Sequence, residues 1–191
     1  MVRSFDASPL DEVAVEALFE ASLRAPTAGN TRGVGWVVLI GADEVARYFQ
    51  AATDEAWRAS AERAGGLERA SAVGICLADP SAYVSRYAED DKAASGLGIA
   101  PGSWPVPYWI GDAGAAVMAA LLLAEESGLA AGFLGAFRRD AEVRAGFSVP
   151  PDVVIYGAVL LGRPDGADRR SRSLERSAPS RRALVRRGSW S

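Results

Sequence analysis

Within the run Ala25-Pro26-Thr27-Ala28-Gly29-Asn30 the chain sets a proline that ends a helix, a glycine free to take positive φ, and a hydroxyl and a carboxamide three residues apart. Such a turn suits a polar, planar guest held against exposed backbone. Elsewhere, reactive side chains are scarce. There is no histidine among the 191 residues, which excludes Ser-His-Asp and Cys-His catalysis, His-ligated metal and imidazole acid–base chemistry. The one thiol, Cys76, lies in the apolar run Ala72-Val73-Gly74-Ile75-Cys76-Leu77 and reads as a small core residue in a strand. Asp90-Asp91 and Glu125-Glu126 are adjacent in sequence, hence about 100° apart on a helix, and read as solvated faces and not as acid–base pairs. Neither Gly-x-Gly-x-x-Gly nor Gly-x-x-x-x-Gly-Lys-Ser/Thr occurs, so the familiar nucleotide loops are missing. Difficult chemistry must be brought by a cofactor.

Charge is uneven along the chain. Residues 163–191 hold nine arginines against Asp165, Asp168 and Glu175, a net of +6, which leaves −9 on residues 1–162 of a chain whose overall charge is −3. Two readings are open: a solvated basic tail able to touch nucleic acid without specificity, or an arm laid on its own or a partner's body that brings arginine to a phosphate. No aromatic platform interleaves with these arginines, so no specific nucleic-acid site is expected. The longest apolar run, Ala113 to Ala124, stops short of the roughly 18 residues of a membrane span, and no signal pattern opens the chain. A cytoplasmic protein with no membrane contact is expected.

The elements that must carry the turn follow from periodicity. Val15, Leu18, Phe19, Ser22 and Leu23 recur at helical spacing over Asp11–Leu23, with Glu12, Glu16 and Glu20 on the polar stripe. Trp36-Val37-Val38-Leu39-Ile40 predicts a buried strand ended by Gly41, after which Asp43 is expected to cap a helix. A polar helix is expected over Trp57–Arg69, a second strand over Val73–Leu77 and a helical excursion over Ser81–Lys92. The Gly- and Pro-rich segment 96–107, with Trp104 and the nearby Tyr108 and Trp109, reads as a lid or a dimer contact. Asp112–Gly128 is apolar on nearly every face and predicts a central buried helix with Gly128 as its C-cap. Phe133-Leu134-Gly135-Ala136-Phe137 leads to a short helix opened by Asp140, and Val153–Leu161 is the last long strand. The mixture predicts an α+β fold.

Taken in order, these parts resemble the FMN-dependent nitroreductase family over nearly the whole chain. Val2-Arg3-Ser4-Phe5 followed by a helix and Ala25–Asn30 is similar to the family's Val-Arg-x-Phe and Ala-Pro-Ser-Ala-Gly-Asn. Asp112-Ala113-Gly114-Ala115-Ala116 opens the central helix, and Gly128–Phe137 follows it. Leu161-Gly162-Arg163-Pro164 closes the last strand before a tail containing Ser180-Arg181-Arg182-Ala183-Leu184.

The resemblance implies a central, mostly antiparallel sheet flanked by helices, in an intertwined homodimer. Residues 1–162 would form the flavin-binding domain and residues 163–191 a basic arm packed on the dimer. It implies FMN as cofactor and NAD(P)H as electron donor, for reduction of a small nitroaromatic or quinone-like acceptor. Arg3 would meet the polar edge of the isoalloxazine, and Pro26, Thr27, Ala28 and Asn30 would reach the flavin lying largely on the other subunit. Gly135, or its neighbours Phe133 and Leu134, would offer a backbone N–H to flavin N5, and Arg181 and Arg182 would grip the phosphate. The chain departs from the family where Arg-Arg-Ser is absent ahead of Val2 and where Arg32-Gly33-Val34 replaces Gln-Pro-Trp; Asn30 is its only asparagine. Those departures leave open a second function, a flavin- or deazaflavin-binding protein without turnover.

Overall fold

The chain's apolar and β-branched runs pair with one another. In the computed structural model, which describes residues 1–60, 64–136, 138–167 and 184–189, Val34–Ile40 (β1), Ala72–Ala78 (β2), Ala130–Gly135 (β3) and Val154–Gly162 (β4) form one sheet in the order β1-β2-β4-β3. Every pairing is antiparallel, so the α+β class and the antiparallel sheet expected from the sequence are observed.

Alternation along the strands sends side chains to two cores. Val73 and Ile75 of β2 join Leu39 and Leu160 on one face, under Val45, Tyr48 and Phe49 of α2 (Ala42–Ala52) and Val143 of α7 (Asp140–Phe147). Ala72, Cys76 and Ala78 join Val159 and Leu161 on the other face. That face is covered by α1 (Glu12–Ser22), α5 (Pro80–Tyr87) and α6 (Tyr108–Glu126). Gly74 makes the seat for α1: a Cβ there would stand 2.3 Å from the Phe19 ring, so the missing side chain is what lets Phe19 approach the sheet so closely. Full burial of that ring contributes about 1.5–3 kcal/mol. Register shifts opposite Cys76 and Leu77, which pair with Gly157 and Ile155 and leave Tyr156 as the extra residue of a bulge in β4.

The first residues close back on the last strand. Val2 N–H donates to Ala131 O at 2.8 Å and Asp6 N–H to Arg163 O at 3.1 Å, while Phe5, fully buried, bridges to Pro164. Arg69 completes the latch through Nε to Phe5 O and Nη2 to Asp165, both at 2.8 Å, and Ser4 Oγ donates to the same carboxylate.

Several local expectations change. Asp11 caps α1 through Ala14 N–H, but Gly41 and not Asp43 is the N-cap of α2. With Gly41 at φ 87° the chain turns two residues early, and Asp43 falls in the first turn of the helix. The helix expected over Trp57–Arg69 is seen as α3 (Glu55–Ser60) and α4 (Ala64–Leu67), the second containing Gly65-Gly66, a weak helix-forming pair; residues 61–63 lie outside those described. Trp104 of the 96–107 segment is buried, edge-on to Tyr83, Tyr87 and Trp109, with Nε1 donating to Leu97 O at 2.9 Å. Trp104 therefore anchors the segment to the core.

Helix α6 is longer than the apolar run that announced it, and at 19 residues it is long and apolar enough by composition to cross a membrane. Its buried stripe, Ala113, Ala116, Val117, Ala120 and Ala124 against the sheet and α1, is that of a core helix. Burial is one-sided, however: Met118 and Leu122 are 55% and 59% exposed. Gly128 takes φ 70° just past the helix end, as a C-terminal glycine should.

Candidate functional site

The Ala25–Asn30 run folds as its residues dictate. Helix α1 ends before Pro26, and Ala28–Asn30 close one 3₁₀ turn with Gly29 at φ 65° and Asn30 at φ 55°. Glycine is required at position 29 twice over, because a Cβ there would also stand 2.7 Å from the Tyr87 ring. Polar groups of the turn are mostly spent on itself and its neighbours. Asn30 N–H donates to Thr27 O, Thr31 N–H and Oγ1 both donate to Ala28 O, and Thr27 Oγ1 donates to Thr31 O at 2.8 Å. Arg86 Nε donates to Gly29 O at 3.0 Å, and Ala28 N–H donates to Asp112 Oδ2 at 2.8 Å.

Two outcomes follow for the expected contacts. Ala28 N–H and C=O are both engaged, so Ala28 can offer a ligand only its methyl group. The Asn30 carboxamide stands exposed and makes no side-chain hydrogen bond among the described residues. It faces a cleft of about 460 Å³ that Arg24, Pro26, Thr27, Arg32 and Asp112 also line. Arg32, from the stretch that departs from the family pattern, is therefore part of the cleft wall. Its neighbour Gly33 makes room for a tyrosine, since a Cβ at that position would stand 2.5 Å from the Tyr83 ring.

The second half of the expected site lies at the end of β3. This strand is the sheet edge beside β4, and Val2 N–H reaches Ala131 O from the outer side. Because backbone groups alternate in an antiparallel strand, Phe133 and Gly135 present their N–H groups outward like Ala131, while Gly132 and Leu134 bond to β4. The Gly135 N–H, with no side chain beside it, is thus aimed away from the sheet. Opposite it lie Gly157 and the Tyr156 bulge, and the Phe133 and Tyr156 rings lie 5.8 Å apart. Leu134 and Gly135 border a cavity of about 100 Å³ with Tyr48, Trp57, Arg138 and Ile155. Burial raises the Tyr48 hydroxyl to about 12, so it stays protonated there.

One protomer does not bring these halves into one cavity. The turn belongs to the α1–α6 face of the sheet, and the cavity beside Gly135 to the α2–α7 face. Val2 bonds to the outer side of β3, and from there the chain crosses to α4, with the Arg3 carbonyl beside Gly66 and Phe5 N–H donating to Gly66 O, whereas Arg181 and Arg182 lie outside the described residues. Cys76 is wholly buried, its thiol raised to about 12 by burial, which bears out its reading as a core residue. Sequence reasoning missed Asp112 and Tyr83 as partners of the turn. The signal was present, since Asp112 is the only charged residue between Lys92 and Glu125, and a lone carboxylate in so apolar a stretch must find donors.

Comparison with known proteins decides what frame this is. The sequence model of the Nitroreductase family matches residues 1–163. The chain belongs to the nitroreductase family. As a member of it the protein is an oxidoreductase. A candidate NADH dehydrogenase/NAD(P)H nitroreductase of Archaeoglobus fulgidus is 24% identical over 166 residues, covering 85% of this chain and 79% of that one. Among solved structures, an enone reductase of gut-bacterial fatty acid saturation superposes with TM-score 0.72 at 15% identity, over 98% of this chain and 93% of the other. An FMN-dependent nitroreductase of Clostridium difficile superposes with TM-score 0.66 at 16% identity, over 99% and 94%. At such identities the structures establish the nitroreductase fold and leave the acceptor open.

Proposed function

We propose that this nitroreductase-family protein is an FMN-dependent homodimer that takes reducing equivalents from NAD(P)H and passes them to a small nitroaromatic or quinone-like acceptor. One observation carries the reading: the turn stands over the α1–α6 face of the sheet while the Gly135 N–H points out from its β3 edge, beside a cavity on the opposite face. The turn bearing Asn30 and the outward N–H of Gly135 can serve one ligand only if two protomers supply them. The exposed apolar side chains Met118 and Leu122 of α6 support association through that helix.

The donor set fits an isoalloxazine ring. Gly135 provides a backbone N–H without side-chain bulk, Asn30 a carboxamide, and Arg3, next to the residue that bonds to Ala131 of β3, a guanidinium. When bound, FMN would supply hydride exchange between nicotinamide and acceptor. The chain's own work is then to orient the ring by the Gly135 N–H, to hold its outer side by Pro26, Thr27 and Asn30 of the other protomer, and to neutralise charge with Arg3. We assign residues 163–191 as the arm that carries Arg181 and Arg182 to the phosphate, and place the enzyme in the cytoplasm.

The test combines an absorbance spectrum of the purified protein, sedimentation, and NADH or NADPH oxidation in the presence of a quinone. A yellow dimer that oxidises the nicotinamide supports the proposal. A colourless monomer that takes up no added FMN overturns it, and a yellow protein without turnover would be the flavin-binding protein of the second reading.

A further inference from the structure

We propose that Asp112 is the positioning residue of the candidate site: one carboxylate oxygen, shared by Ala28 N–H and the Tyr83 hydroxyl, fixes the turn on which Asn30 stands. The geometry stands by itself, and its consequence for FMN rests on the function proposed above.

Both donors lie 2.8 Å from Asp112 Oδ2, across 84 and 29 residues of sequence. Asp112 is 9% exposed, so its charge must be met by protein donors, and these two meet it. Tyr83 is an immobile donor. Its side chain is wholly buried, Gly33 leaves space for its ring, and the rings of Trp104 and Trp109 lie 6.0 Å away. The turn is gripped on its other side by Arg86, which donates to Gly29 O and forks onto Asp91 at 2.7 and 2.8 Å. The Ala28–Asn30 peptide groups thus hang between α5 and α6. Asp112 is the part of that suspension that ties the turn to the central helix. Burial, then the bond to Asp112, push the Tyr83 hydroxyl above its usual range, so it remains a donor at all ordinary pH.

The experiment measures FMN dissociation constants of the full chain by fluorescence quenching, with amide hydrogen exchange alongside. Asp112→Ala removes both bonds and should weaken FMN roughly tenfold or more, as loss of charge-assisted bonds does. Asp112→Asn keeps the shape and can set its carboxamide oxygen where Oδ2 stood, accepting from both Ala28 N–H and the Tyr83 hydroxyl, and should restore affinity to within about threefold of the parent. Val73→Ala, in the core and away from both cavities, is the control for a comparable loss of Tm and should leave FMN affinity unchanged. Equal weakening by Asp112→Ala and Val73→Ala, or none by Asp112→Ala, overturns the proposal. If the parent protein takes up no FMN, the function falls and exchange alone judges Asp112. Faster exchange at residues 28–31 with β1 unchanged then upholds the positioning role, and unchanged exchange overturns it. Should Asp112→Ala fail to fold, Tyr83→Phe carries the same exchange test, since it takes one of the two donors from Oδ2.

Discussion

The turn at Ala28–Asn30 and the outer edge of β3 offer a ligand opposite things. At the turn nearly every peptide group is engaged, so recognition is left to side chains such as the Asn30 carboxamide. At the end of β3 the side chain has been removed and the peptide N–H of Gly135 is what remains to donate. A backbone donor on a sheet edge is fixed by the ladder beside it, and no rotamer has to be ordered to use it. A side chain on a turn gains the same fixity only when the turn itself is immobilised, which is why that turn is tied to two helices.

The largest expected effect breaks the turn side of this contrast. Gly29→Val puts a β-branched residue at φ 65° and against Tyr87, combining backbone strain with overpacking, and should destabilise the protein by about 2–5 kcal/mol in urea denaturation. Second comes Gly135→Pro, which deletes the outward N–H; FMN should bind more weakly by about 1–3 kcal/mol, while Gly135→Ala, which keeps that N–H, should stay near the parent. A fluorescence titration that finds the two variants equal would place the donor elsewhere. Third, Asn30→Gly removes the carboxamide without opposing φ 55°, and should weaken FMN by only about 0.5–1.5 kcal/mol with Tm held.

The smallest effect concerns the latch that holds the N-terminal segment against the end of β4. Asp165 is held below the usual carboxylate range, first by Ser4, then by Ala167 N–H and Arg69. A carboxyl whose folded value is depressed stabilises the fold above its unfolded value of about 4 and loses that contribution as pH falls through the folded value. Asp165→Asn should therefore be slightly less stable than the parent at pH 7. The gap should close on acidification below pH 4; a constant gap in urea midpoints from pH 7 to pH 3 would show that the latch acts by shape and not by charge.

Local punctuation made much of this legible. Pro26 and Gly29 marked the turn, Gly128 the end of α6, and apolar runs placed β1, β2 and β4 to within two residues; β3 was not foreseen as a strand, because half of Ala130–Gly135 is the small-residue run Ala130-Ala131-Gly132. For the partners of the turn, the lone carboxylate of Asp112 announced a need for donors but not which ones, because Ala28 and Tyr83 meet it across 84 and 29 residues and no short window contains such bonds. The Tyr156 bulge was likewise silent: one extra residue among Val154–Gly162 leaves the composition of a strand unchanged. The exposure of Met118 and Leu122 was not foreseen, since a helix apolar on nearly every face reads as buried whether its own chain or another copy covers it.

The order of strands carries a consequence for biosynthesis. β4, the last strand made, lies in the middle of the sheet between β2 and β3, and the first residues of the chain also bind beside it. A nascent chain lacking residues 154–164 has β2 open along one edge, β3 without its neighbour and Phe5 without its bridge. At about 5–20 residues per second the ribosome leaves that half-built sheet waiting for several seconds, the interval in which unpaired edges invite chaperones or aggregation. Truncation anywhere before Gly162 should accordingly remove the whole domain and not merely its end.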